Sequence, residues 1–230
     1  KILSRILDHG HFFEMKPRFA RNILTGFGRM DGWAVGIIAN QSTHLAGALD
    51  VDASDKASRF IRFCDAFNVP LLTFVDIPGY LPGVDQEHRG IIRHGAKMLF
   101  AYAEATVPKI TVIVRKDYGG GKQAMCSKPM GTDFVLAWPS ADLAVMGAEG
   151  AVNVVCRKEI QESKDPEGTK RRLIEEYRQA FEGPFEAARK MYVDDIIEPQ
   201  ETRPKVIQAL RILKDKKVGR VDKKHANMPV

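Results

Sequence analysis

Apolar positions along the chain change their period several times, and each change marks an element. Ile2, Leu3, Ile6 and Leu7 recur at helical spacing until Gly10, so the chain is expected to open inside a helix, as a segment cut at a domain boundary would. From Leu24 the pattern turns to short runs: residues 27–30 and 33–39, divided by Asp31-Gly32, predict a β-hairpin. Helical spacing returns with Ala57, Phe60, Ile61, Cys64 and Phe67, where Asp52 or Ser54 supplies the cap and Asn68-Val69-Pro70 the stop. Residues 71–75 are an almost unbroken apolar run, the mark of a strand covered on both faces.

The same unit then repeats. A loop at Ile77-Pro78-Gly79 leads to a helix over about 90–105, a β-branched strand over 110–114, a loop at Tyr118-Gly119-Gly120-Gly121 and a short helix. Strands over 134–137 and 143–146, a helix over 148–156 and a mostly helical stretch over 166–190 complete the pattern. Buried strands alternating with helices predict an α/β fold, a mostly parallel sheet flanked by helices, with the helical tail packed outside it or against a neighbour. At 230 residues the chain is one domain's worth, without internal repeats.

Composition narrows the class without naming a function. A 44% hydrophobic and 28% charged content is that of an ordinary globular protein. The net charge of +6 is concentrated in the last third, in Lys170-Arg171-Arg172, Lys214, Lys216, Lys217, Arg220, Lys223 and Lys224. Such runs read as a solvated face, with attraction for coenzyme A phosphates as the alternative, and no nucleic-acid partner is expected. Cys64, Cys126 and Cys156 have neither CxxC nor metal-ligand spacing, so no metal site or disulfide framework is expected and a reducing compartment fits. No stretch reaches the roughly 20 apolar residues of a membrane span.

The chemistry-bearing candidates are the two loops where strands hand over to helices: 76–83, which contains Gly79 and Tyr80, and 118–122. In open α/β sheets ligands settle beyond the carboxyl ends of the strands. Glycine removes the Cβ that keeps a ligand from the backbone, and unpaired amides opening a helix carry partial positive charge. That combination suits a developing oxyanion, while a tight turn without chemistry explains the same glycines. The spacing fits neither a Walker A loop nor a GxGxxG fingerprint. His88 and His94 lie off the metal-helix pairing, Cys126 has no evident base, and Asp194-Asp195 would face opposite ways on a strand. Any catalysis therefore falls to backbone amides.

Long strings carry a family resemblance. GFGRMDGWAVGIIANQ, ASRFIRFCDAFNVPLLTFVDIPGYLPG, GIIRHGAKMLFAYAEATVPKITVIVRKDYGGG, AWPSADLAVMGAEGAV, YVDDIIEPQETR and KKHANMPV resemble the C-terminal domain of biotin-dependent acyl-CoA carboxyltransferase beta subunits, such as those of propionyl-CoA carboxylase and methylmalonyl-CoA carboxyltransferase. The resemblance covers nearly the whole chain. It implies a crotonase-like fold in which residues 1–230 are the carboxybiotin-binding half, partnered by an N-terminal domain that binds acyl-CoA. It also implies a hexameric homo-oligomer, a biotin carboxyl carrier and a biotin carboxylase subunit as partners, and a cytoplasmic or mitochondrial-matrix location.

The activity so implied is transfer of a carboxyl group between carboxybiotin and the α-carbon of a short acyl-CoA such as propionyl-CoA. The alternatives are decarboxylation of a malonyl-type CoA thioester, a standalone crotonase-type acyl-CoA enzyme, and a silent scaffold. On the YGG match, the amides of Gly120 and Gly121 form the oxyanion hole for the biotin ureido oxygen, and Gly79, Tyr80 and Gly119 belong to the biotin pocket. Gly121-Lys122-Gln123 stands where many relatives have Ala-Tyr-Asp. Lys122 and Gln123 therefore fall at the substrate pocket, and the acyl preference stays open.

Overall fold

The long apolar runs form the parallel centre of one sheet, and the predicted hairpin forms its antiparallel edge. A computed structural model describes residues 1–181, 183–219, 227 and 229, so the predicted basic residues Arg220, Lys223 and Lys224 and most of KKHANMPV lie outside the described residues. The strands are β1 (Phe13–Glu14), β2 (Ile23–Met30), β3 (Trp33–Asn40), β4 (Leu71–Ile77), β5 (Lys109–Tyr118), β6 (Phe134–Ala137), β7 (Asp142–Ala144) and β8 (Asp195–Ile196). The helices are α1 (Leu3–Ile6), α2 (Val51–Ala66), α3 (Val84–His88), α4 (Ile91–Glu104), α5 (Gly119–Ala124), α6 (Ala148–Val155), α7 (Arg157–Glu162), α8 (Pro166–Phe181), α9 (Pro184–Arg189) and α10 (Thr202–Ile212). Across the sheet the order is β1-β2-β3-β4-β5-β6-β8, with β7 continuing along β5. The first two pairings are antiparallel and the rest parallel.

Alternation along β4 divides the core between the two faces of the sheet. Leu71, Val75 and Ile77 join Phe60 and Ile61 of α2 and Met98 and Tyr102 of α4. Leu72 and Phe74 face the other way and join Val206 and Leu210 of α10. The C-terminal α10 covers the second face of the sheet, while α6, α7 and α8 pack on one another. The predicted helical stretch over 166–190 is broken at Gly183, whose φ of 105° no ordinary helical residue adopts. Among the described residues no helix is long and apolar enough to cross a membrane.

The cap of α2 differs from the expected one. Asp50, not Asp52 or Ser54, stands at the N-cap, and its Oδ1 accepts from the Ala53 amide at 2.9 Å and from Asn22 Nδ2 at 3.1 Å. Asp52 lies inside the first turn and pairs with Arg89 at 2.9 Å. The distinction matters for the site, because Leu49, next to the cap, is the residue that pins the loop after β4. Asp50→Ala is expected to lower the unfolding free energy in urea by about 1–2 kcal/mol. Asp52→Ala, which removes only an exposed ion pair, is expected to change it by less than about 1 kcal/mol.

Candidate active site

Parallel neighbours end at the same edge of a sheet, so the pairing of β4 with β5 brings the two glycine loops together. Their register runs Val75 opposite Ile113, then shifts to place Ile77 opposite Asp117, and β5 continues straight into α5. The loop after β4 is held by an isolated bridge to Leu49. The Leu49 amide donates to the Gly79 carbonyl at 3.1 Å and the Leu81 amide to the Leu49 carbonyl at 2.8 Å. Gly79 and Gly119 sit at φ values of 138° and 58°, conformations that a residue with a Cβ adopts only with strain.

Glycine at 121 is a matter of contact. A Cβ there would stand 2.5 Å from Ile77 Cδ1 and 3.1 Å from the Gly79 Cα, so the two loops touch nearly backbone to backbone. Gly120 is more open, since a Cβ on it would make an ordinary 3.6 Å contact with the Tyr80 ring. Tyr80 is wedged between the two helices: a Cβ on Gly95 of α4 would stand 2.7 Å from its ring, and its hydroxyl donates to the Gly95 carbonyl at 3.2 Å. Burial pushes the Tyr80 phenol far above its usual range. Tyr80 therefore supports the turn from below with its ring, and its hydroxyl is already engaged.

A cleft of about 470 Å³ opens over α5, lined by Gly119, Gly120, Lys122, Gln123, Val145 and Tyr192 among others. Four of the sequence-predicted residues thus line one cleft, while Gly121, Gly79 and Tyr80 pack next to them without lining it. No side chain caps α5, and the amides of its first turn have no acceptor within the helix, which leaves partial positive charge at Gly119, Gly120 and Gly121. Gln123 accepts a short hydrogen bond from Ser127, and the Lys122 ammonium sits 5.0 Å from the centre of the Tyr192 ring.

Side-chain nucleophiles are poorly placed. Burial pushes the Cys126 thiol up to about 11, with Thr132 and Thr111 in hydrogen-bond contact. His94 Nδ1 lies 2.9 Å from Asp55, away from the cleft, and among the described residues no group of three or more His, Cys, Asp or Glu is placed to hold a metal. Asp194 and Asp195 go to separate structural pairs, with Lys128 and Lys205, each at 2.6 Å. Glu186 lines the cleft, but hydrogen bonds from Lys190 and Arg189 hold its carboxyl below the usual value, which makes it a poor proton acceptor.

One residue of the site escaped the sequence reading. Asp117 is the last-but-one residue of β5, 2% exposed, and its Oδ1 has no hydrogen-bond partner among the described residues. Burial pushes its carboxyl up to about 7, against the pull of Lys122. Its signal in the sequence is a carboxylate set directly before the Tyr118-Gly119 turn, hidden because the apolar run of the strand stops at residue 114 while β5 continues to Tyr118.

Residues 1–228 match the family described as carboxyl transferase domain. The chain belongs to that family. It is 56% identical to the propionyl-CoA carboxylase carboxyltransferase subunit of Haloferax mediterranei, over 100% of this chain and 44% of that protein. To the methylmalonyl-CoA decarboxylase subunit alpha of Propionigenium modestum it is 53% identical, again over 100% of this chain and 44% of the relative. The carboxyl transferase domain thus spans less than half the length of these relatives. Among solved structures it superposes on the transcarboxylase 12S hexamer with methylmalonyl-coenzyme A bound, with a TM-score of 0.96 and 53% identity over 100% of this chain and 44% of that one. The fold is accordingly crotonase-like, as the resemblance implied.

In this carboxyl transferase domain the Tyr80 wedge has a direct test. Gly95→Ala is expected to lower stability by about 1–3 kcal/mol through overpacking against the ring. Tyr80→Leu in the same chain is expected to recover part of that loss in a double-mutant cycle. Strict additivity of the two changes would show that the ring does not rest on Gly95.

Proposed function

We propose that this chain is the carboxybiotin-binding part of a biotin-dependent acyl-CoA carboxyltransferase, acting between carboxybiotin and the α-carbon of a short acyl-CoA. The observation that carries the reading is the uncapped first turn of α5, a side-chain-free run of amides at a cleft with no well-placed general base among the described residues. Membership of the carboxyl transferase domain family and the names of the relatives support it.

The residues fit the biotin head group. A ureido oxygen is a hydrogen-bond acceptor, and Gly120 at the cleft wall followed by Gly121 offers amide donors and no Cβ. The cleft, at about 470 Å³, lies within the size range of small-molecule sites. When bound, carboxybiotin supplies the carboxyl group that is transferred. The amides of Gly120 and Gly121 hold the ureido oxygen and favour negative charge there, which needs no reorganisation because the donors are fixed by backbone. Gly79 and Tyr80 keep the turn in place from behind, Gly119 gives it its left-handed entry, and Lys122 and Gln123 shape the wall facing the acyl group.

In this reading the acyl-CoA is held by a second, N-terminal carboxyltransferase domain, biotin arrives on a carrier domain charged by a biotin carboxylase subunit, and the assembly is a homo-oligomer, a hexamer as in the 12S relative. The cytoplasm, or the mitochondrial matrix in a eukaryote, is the compartment it implies. The same amides serve the reverse direction, from a malonyl-type thioester to biotin, and the decarboxylase relative supports that second reading. The engaged carboxylate of Glu186 disfavours a hydratase.

Proline at position 120 separates donor from space. Proline is tolerated in a first helical turn but has no N–H, whereas alanine keeps the donor and meets Tyr80 at an ordinary distance. Assayed with the acyl-CoA-binding domain, Gly120→Pro is expected to lower carboxyl transfer by about 10²–10³-fold, with Gly120→Ala within about tenfold of the parent. Equal activity of the folded proline variant would sink the proposal.

A further inference from the structure

Beside α5 lies a small, partly enclosed cavity of about 10 Å³, the size of a single water, whose polar lining is Thr111, Asp117, Lys122, Ser127, Lys128 and Tyr192. It takes residues from β5, from α5, from the segment after α5 and from the segment after α9. Lys128 is engaged by Asp194 at 2.6 Å. Ser127 donates to Gln123, Thr111 donates to the Cys126 carbonyl at 2.8 Å, and Tyr192 presents its ring to Lys122. The two charged groups left on this lining are the Asp117 carboxyl and the Lys122 side chain, whose charge pulls that carboxyl down. Lys122 has no ion pair among the described residues, and Asp117 has the unpartnered Oδ1.

A carboxylate buried without donors is costly, and a cation lining the same small space offsets part of that cost. The cation here stands three residues beyond Gly119 on a helix of six residues, so attraction toward Asp117 acts directly on where the turn sits. We propose that Asp117 and Lys122 form a charge couple across this cavity that positions the Gly119–Gly121 turn, and with it the amides that meet the ligand. The role assigned to those amides rests on the function proposed above; the couple itself does not.

The couple separates stability from ligand binding, which an ordinary packing contact does not. The carboxyl of Asp117 lies at about 7 in the folded chain, above its usual 3.8. The folded state therefore holds that proton more tightly than the unfolded one. The stability contributed by the neutral form is fully present below the usual value and is lost as pH rises through about 7. Alignment of the turn runs the other way, because the attraction exists only when Asp117 is ionised. Raising the pH is thus expected to weaken the fold slightly and to strengthen ligand binding.

The test is free-biotin binding by calorimetry, with urea unfolding alongside, for the parent chain, Asp117→Asn, Lys122→Met, Lys122→Arg and the double variant Asp117→Asn/Lys122→Met, between pH 6 and 8.5. Parent affinity is expected to rise about fivefold across the range and Lys122→Arg to follow it. Asp117→Asn and Lys122→Met are each expected to stay flat at the low-pH value, and the double variant to be no weaker than either single. At pH 8 Asp117→Asn is expected to be at least as resistant to urea as the parent, so its weaker binding is not loss of fold. Lys122→Met is expected to be destabilised at pH 8 only where Asp117 is present. A parent-like pH slope in Asp117→Asn overturns the positioning role. Additive urea effects of the two substitutions overturn the couple. If the parent binds no biotin, the functional reading fails, and the urea cycle alone judges the couple.

Discussion

Parallel hydrogen bonding between β4 and β5 is the constraint from which the site follows. Side-by-side strands of the same sense end at one edge, so the chain leaving Ile77 and the chain leaving Tyr118 emerge beside each other. Both exits then have to fit in one place. Glycine at 121 lets the second exit lie against Ile77 and the Gly79 backbone, and the Leu49 bridge stops the first exit from yielding. The result is a short helix whose first amides are directed by backbone packing, with Tyr80 as the prop between α4 and the turn.

Such a site draws its electrostatics from peptide groups. Backbone donors cannot rotate away or titrate, and their alignment depends on whatever holds the turn. Conventional catalytic side chains are poorly placed around the cleft among the described residues. Cys126 is buried and protonated, Glu186 is tied up by two cations, and the histidine in an ion pair, His94, belongs to the α2–α4 interface. Ionisable groups can still matter indirectly. Asp117 and Lys122 line one small cavity next to the helix that carries the turn, and Gln123, held by Ser127, lies at the adjacent cleft.

Much of this was legible in the sequence because the central strands are apolar on both faces. Continuous runs at 71–75 and 110–114 located β4 and β5, and glycine clusters after them located both loops. The strand ends were not legible. β5 runs on to Tyr118, since pairing of Lys116 with Asp142 and of Asp117 with Leu143 in β7 extends a strand that its own polarity would close. β7 likewise pairs over Asp142–Ala144 and not over 143–146, leaving Val145 at the cleft. β1 and β8 have two residues each, too few for any period to show. Helix α10 hides its buried Val206, Ala209 and Leu210 among charged neighbours, and only the uncovered second face of the sheet explains why it is needed. The α2 cap was misplaced by sequence for a related reason: Asp50, Asp52 and Ser54 are all acceptable caps, and Asn22, distant in the chain, fixes which one serves.

The central claim, that the bare amides of the α5 turn receive the biotin oxygen, is most directly tested by following the backbone amides in ¹⁵N–¹H correlation spectra during titration with biotin. The account predicts that the Gly120 and Gly121 resonances move downfield, as amides do when they gain an acceptor, ahead of any others. Movement confined to residues away from α5, with those two peaks stationary at saturation, would contradict it.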